Sequence, residues 1–91
     1  MTEARRFIVR GLVQGVGFRY FAVRAARKAG IAGTVRNLSD GTVEAIGEGS
    51  AAALSAFRAE LERGPAGAHV SEVEEIKLRP DGRYAGFDVV F

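Results

Sequence analysis

Residues Arg6 to Val13 alternate between polar and apolar side chains and are rich in Ile, Val and Phe, the period-2 pattern of a strand with one buried face. The period changes at Phe18. Phe18, Phe21, Ala22, Ala25 and Ala29 recur at helical spacing while Arg24, Arg27 and Lys28 take the other face, so an amphipathic helix is expected, with Gly30 at its end. Two short strand-like runs follow, Gly33 to Leu38 and Thr42 to Ile46, and Ser39, Asp40 and Gly41 between them supply the turn of a hairpin. Ser50 is placed to cap a second helix in which Ala53, Leu54, Phe57 and Leu61 share a face, and Gly64 and Pro65 stop it. Val73, Glu75, Lys77 and Arg79 then alternate with Glu74, Ile76 and Leu78. Beyond a turn at Pro80, Asp81 and Gly82, a last strand is expected through Phe87, Val89 and Phe91.

The expected order is βαββαβ plus a short terminal strand. Two helices that each have one apolar stripe to bury are best served by lying together on one face of an antiparallel sheet, the split βαβ or ferredoxin-like α+β arrangement. With 91 residues and neither repeat nor linker, residues 1–91 are read as a single domain with one core.

Candidate chemistry sits where the first strand gives way to the first helix. The segment Gly11 to Arg19, GLVQGVGFR, puts a glycine-relaxed loop and one permanent cation after a strand. Amides at the start of a helix bind anions, and Gly15 and Gly17 let the backbone take positive φ or come close to a ligand. Arg19 adds a planar fork suited to two phosphate oxygens. The spacing fits neither the GxGxxG of dinucleotide sites nor the GK[ST] of triphosphate loops.

Charge and composition narrow the partners. The net charge of +2 is too small to suggest nucleic-acid binding by itself, but residues 1–45 carry eight basic and three acidic side chains, the excess an anionic small substrate favours. RNA-recognition domains share the βαββαβ order, yet they present stacking aromatics on the third strand, where Thr42 to Gly47 reads TVEAIG. There is no cysteine. His69 is the only histidine, in an expected surface loop, so neither a metal site nor a cofactor is expected. Glu74 and Glu75 should point to opposite faces of a solvated edge strand. The start MTEARRFIVR has charge where a signal peptide needs its apolar core, and no run approaches a membrane span, so a soluble, cytoplasmic chain with no membrane partner is expected.

GLVQGVGFR, together with a second block at Gly33 to Glu44 reading GTVRNLSDGTVE, resembles the two signatures of the acylphosphatases, and the resemblance spans nearly the whole chain. It implies the ferredoxin-like fold and hydrolysis of the mixed anhydride of a carboxylic and phosphoric acid. It further implies that the amides of Gly15, Val16, Gly17, Phe18 and Arg19 form a phosphate cradle. Arg19 is then the phosphate-binding arginine, and Asn37 orients the attacking water. Inorganic phosphate or sulfate is expected as a site ligand. A free-standing, monomeric enzyme is expected rather than the acyl-phosphate-handling part of a larger maturation protein. Phe91 stands where the family more usually has tyrosine, a position expected to bear on packing and substrate preference.

Overall fold

The period-2 run folds as β1 (Glu3–Leu12) in a computed structural model that describes residues 1–91. Phe7 and Val9 are fully buried on one face of β1, while Arg6 and Arg10 stand on the other. The helical run forms α1 (Phe18–Ala29), which ends at Gly30 in the left-handed region with φ 76°. There the Ile31 N–H donates to the Ala26 carbonyl at 2.8 Å, and Arg27 and Lys28 in the last turn complement the helix dipole. The hairpin comprises β2 (Ala32–Asn37) and β3 (Val43–Gly49), followed by α2 (Ala51–Arg63), β4 (His69–Leu78) and β5 (Phe87–Val89).

All five strands form one sheet in the order β4-β1-β3-β2-β5. β1 lies between β4 and β3 and pairs antiparallel with both, and β2 pairs antiparallel with β3, giving the ferredoxin-like α+β fold. The core fills the space between the sheet and the two helices. There Phe57 of α2 meets Phe7 of β1 at 5.7 Å and Phe87 of β5 at 5.6 Å between ring centroids, both edge to face.

To the antiparallel sheet expected, the short terminal strand β5 adds a parallel edge, pairing with β2 from Gly33 and Phe87 to Val35 and Val89. A chain that leaves β4 and crosses the same end of the sheet must come back in the sense opposite to β4, which is the sense of β2. Residues 79–86 make that crossing. Glu48 near the end of β3 holds it, accepting from the Asp81 N–H at 2.9 Å and the Gly82 N–H at 3.2 Å. The Gly33 N–H then bonds the Gly86 carbonyl at 2.8 Å and delivers the chain into β5.

Two further readings change. His69 is the first residue of β4, exposed but in a strand rather than a loop. Gly11 belongs to a bulge in the β1–β4 pairing, where a Cβ would collide with the His69 carbonyl oxygen. Its glycine serves the sheet and not the loop that follows.

The basic excess of the first half is largely answered across the sheet. Glu75 accepts from Arg58 at 2.7 Å and Arg5 at 3.0 Å, while Glu74 pairs with Arg10 at 2.9 Å, so the two carboxylates do face opposite ways. Glu44, 4% exposed on the face away from the helices, accepts from Arg6 at 2.6 Å and Arg36 at 2.8 Å. Burial pushes the Glu44 carboxyl upward, but the two arginines outweigh it and hold it below the ordinary carboxylate range.

Candidate active site

At the end of the sheet opposite the crossing loop, β1, β2 and β5 all finish beside the start of α1, and a pocket of about 210 Å³ opens among them. Gly15, Gly17 and Arg19 line it from the loop and the first turn of α1, and Asn37 from the last position of β2. Val89 and Phe91 line it from the C-terminal segment, with Val13, Phe18 and Tyr20 completing the wall.

The loop between β1 and α1 is shaped by its glycines. Gly15 has φ 76° and Gly17 has φ 78°, and a Cβ at either would meet nothing within 4 Å, so glycine is required there by conformation rather than by crowding. Gly17 is the N-cap of α1 and brings no side-chain acceptor, and the first turn holds no acidic residue. In consequence the N–H groups of Gly15, Val16, Gly17, Phe18 and Arg19 donate to no group of the chain; the first amide past them with an acceptor is Phe21, which bonds the Gly17 carbonyl at 3.1 Å. This run of successive amides, which Tyr20 extends, has no internal acceptor and forms a concave, positively polarised surface.

Arg19 is the second residue of α1, half-buried, and takes part in none of the ion pairs that hold most of the other arginines. Its guanidinium lies 5.7 Å from the ring centroid of Phe91, a cation–π contact that fixes the side chain beside the pocket. A cation in the first turn works against the helix dipole by about 0.3–1 kcal/mol. An anion placed among Arg19 and the amides reverses that penalty. Asn37 is also without an internal side-chain partner, since its pairing with Val43 is through the backbone. Its amide therefore presents one acceptor oxygen and two N–H donors to the pocket.

Gln14, which sequence reasoning passed over, joins the two halves of the site. Its Nε2 donates to the Leu38 carbonyl at 2.7 Å and the Thr42 carbonyl at 2.9 Å, tying the glycine loop to the hairpin end that carries Asn37. The hairpin is closed by Asp40, whose Oδ1 accepts from the Thr42 hydroxyl at 2.6 Å and the Thr42 N–H at 3.0 Å; these bonds, the hydroxyl's first, lower the Asp40 pKa. A polar residue between Val13 and Gly15 was the available signal for Gln14, but nothing local identified its partners. No group of three or more His, Cys, Asp or Glu side chains is placed to hold a metal ion, and no helix is long and apolar enough to cross a membrane.

The ferredoxin-like sheet with an anion-compatible loop entering its first helix defines a class of small α+β proteins, and comparison identifies the family within it. The chain belongs to the acylphosphatase family, whose sequence model matches residues 5–89. A relative from Synechococcus sp. (strain WH7803), named acylphosphatase, is 53% identical over 77 residues, covering 85% of this chain and 77% of that one. The crystal structure of acylphosphatase from Bacillus subtilis matches with a TM-score of 0.94 at 37% identity, covering 100% of both chains. Full-length HypF in its phosphate- and nucleotide-bound form matches with a TM-score of 0.88 at 26% identity, covering 100% of this chain and 12% of HypF. Proteins so named as acylphosphatases are hydrolases acting on acid anhydrides, and the fold therefore occurs both at this size and as a segment of a much longer chain.

Proposed function

We propose that this chain hydrolyses acyl phosphates to a carboxylate and inorganic phosphate, with the phosphoryl group held by the amides of Gly15 through Arg19 and by the Arg19 guanidinium, and with the attacking water oriented by Asn37. The observation that carries the reading is the meeting, in one pocket, of the loop bearing five unpaired amides with an unpaired arginine and an unpaired asparagine. An acyl phosphate is already activated, because a carboxylate of low basicity leaves without a strong general acid. The protein has only to stabilise charge on the phosphoryl oxygens and hold a water in line. Water oxygen bonds to phosphorus as the bond from phosphorus to the acyl oxygen breaks; the carboxylate departs with that electron pair, and the protons of the water finish on phosphate oxygens. The pocket lining, with neither a His nor an Asp or Glu side chain, suits this division of labour.

The test is phosphate release from a simple acyl phosphate by the parent chain and by Arg19→Ala. The parent releases phosphate above the spontaneous rate, and Arg19→Ala loses about 10³-fold in turnover, as arginines that stabilise phosphoryl-transfer charge do. Near-normal turnover in a folded Arg19→Ala chain contradicts the role given to Arg19.

A further inference from the structure

The two halves of the pocket reach it from strands that are not neighbours: β1 leads into the loop of Gly15 and Gly17, β2 ends on Asn37, and β3 lies between them. The pairing of β1 with β3 stops at Val9 and Val43, so no ladder spans the gap beyond. There the only hydrogen bonds between the loop, residues 13–17, and the turn, residues 38–42, are the two that Gln14 donates, to the Leu38 carbonyl at 2.7 Å and the Thr42 carbonyl at 2.9 Å. We propose that Gln14, which does not itself line the pocket, is a positioning residue for the hydrolysis: it keeps the water on Asn37 in line with the phosphoryl group on the cradle. This rests on the hydrolytic reading above.

The tie lies one residue from each half, since Gln14 adjoins Gly15, the first of the cradle amides, and Leu38 adjoins Asn37. Both acceptors are carbonyls, which a side-chain amide can meet only through its NH2 group, and both hydrogens of that group are used. Each carbonyl already accepts one backbone N–H, that of Thr42 from Leu38 at 2.9 Å and that of Leu38 from Gly41 at 3.2 Å. Gln14 therefore fills the second acceptor position of each and grips a turn that is closed without it. The bonds from Thr42 to Asp40 are likewise independent of Gln14. On the other side, Val13 is 1% exposed and anchors the start of the loop in the core. What the Gln14 amide adds is the spacing between two halves that other contacts already hold. In-line attack depends on that spacing, because a misplacement of about 1 Å costs up to about 10²-fold in rate, whereas phosphate binding depends on the cradle half alone.

The assay is hydrolysis of benzoyl phosphate, with inorganic phosphate as competitive inhibitor and thermal unfolding to establish that each variant is folded. Gln14→Leu, of similar size but without a donor, should lower kcat between about tenfold and about 10²-fold, with KM and the phosphate inhibition constant within about twofold of the parent. Coupling to Asn37 separates positioning from a merely structural role. In an Asn37→Ala chain, Gln14→Leu should cost less than about twofold, because the water it aligns is no longer held. A folded Gln14→Leu chain with parental kcat, an equal loss in both backgrounds, or a phosphate constant weakened as far as kcat overturns the inference and leaves the hydrolytic reading intact. Should Gln14→Leu not fold, Gln14→Ala, which leaves room for water at the two carbonyls, takes its place with the same outcomes. A chain that folds in neither form also overturns the inference, because Gln14 is then required by the fold. A parent that does not hydrolyse benzoyl phosphate overturns the hydrolytic reading and this inference with it.

Discussion

The two helices of this protein begin in opposite ways. At α2, Ser50 in extended conformation turns its Oγ onto the Ala53 N–H at 3.0 Å and its carbonyl onto the Leu54 N–H at 2.9 Å, satisfying two of the first four amides from within. At α1, Gly17 in left-handed conformation supplies no side-chain acceptor, and the next side chains add a cation where the dipole disfavours one. The arginines divide in the same manner. Arg5, Arg6, Arg36 and Arg58 are spent on Glu75 and Glu44, whereas Arg19 has no carboxylate partner and leans on Phe91. No fully buried side-chain nitrogen or oxygen goes without a hydrogen bond, so the fold satisfies its own interior, while Arg19, Asn37 and the amides at the start of α1 stay unpaired around one pocket. That concentration is what a site for an external anion requires.

Perturbing the two ends should therefore have different consequences, and the roughly 10³-fold loss expected of Arg19→Ala is the largest of them. Asn37→Ala comes next. It should lower turnover roughly 10²-fold, as removal of a single positioning group in such sites does, while competitive inhibition by inorganic phosphate changes little. If phosphate inhibition weakens as much as turnover, Asn37 belongs to the anion cradle and not to the water. The smallest effect is expected at the other helix. Ser50→Ala should cost about 1 kcal/mol of stability against urea through loss of the α2 cap, with turnover unchanged. A kinetic defect in Ser50→Ala would erase the contrast between the two helix starts.

Much of this was legible along the chain because the elements are written in local periods: the switch from period 2 to helical spacing at Phe18, the cap at Ser50 and the stop at Gly64 all act within a few residues. What escaped the sequence was long-range. The parallel pairing of β5 depends on which end of the sheet residues 79–86 cross, and the anchor for that crossing, Glu48, lies more than thirty positions upstream. Glu44 and Gln14 went unread for the same reason, since Glu44 is held by Arg6 from β1 and Gln14 by the carbonyls of Leu38 and Thr42 in the distant hairpin turn. Gly11 looked like part of the loop because it opens the same glycine-rich run, but its neighbour in space is His69. The two glycine blocks gave the candidate site residues, and folding brings Arg19 and Asn37 from them into one pocket.

The central claim, that the start of α1 and not of α2 is built to receive a phosphoryl group, is tested most directly by titrating inorganic phosphate into the protein and following its backbone amides by NMR. Saturable shifts should be confined to Gly15 through Arg19 and their pocket neighbours, should leave Ala51 to Leu54 unmoved, and should vanish in Arg19→Ala. Shifts centred on the start of α2, or a titration unaltered by Arg19→Ala, would contradict the account.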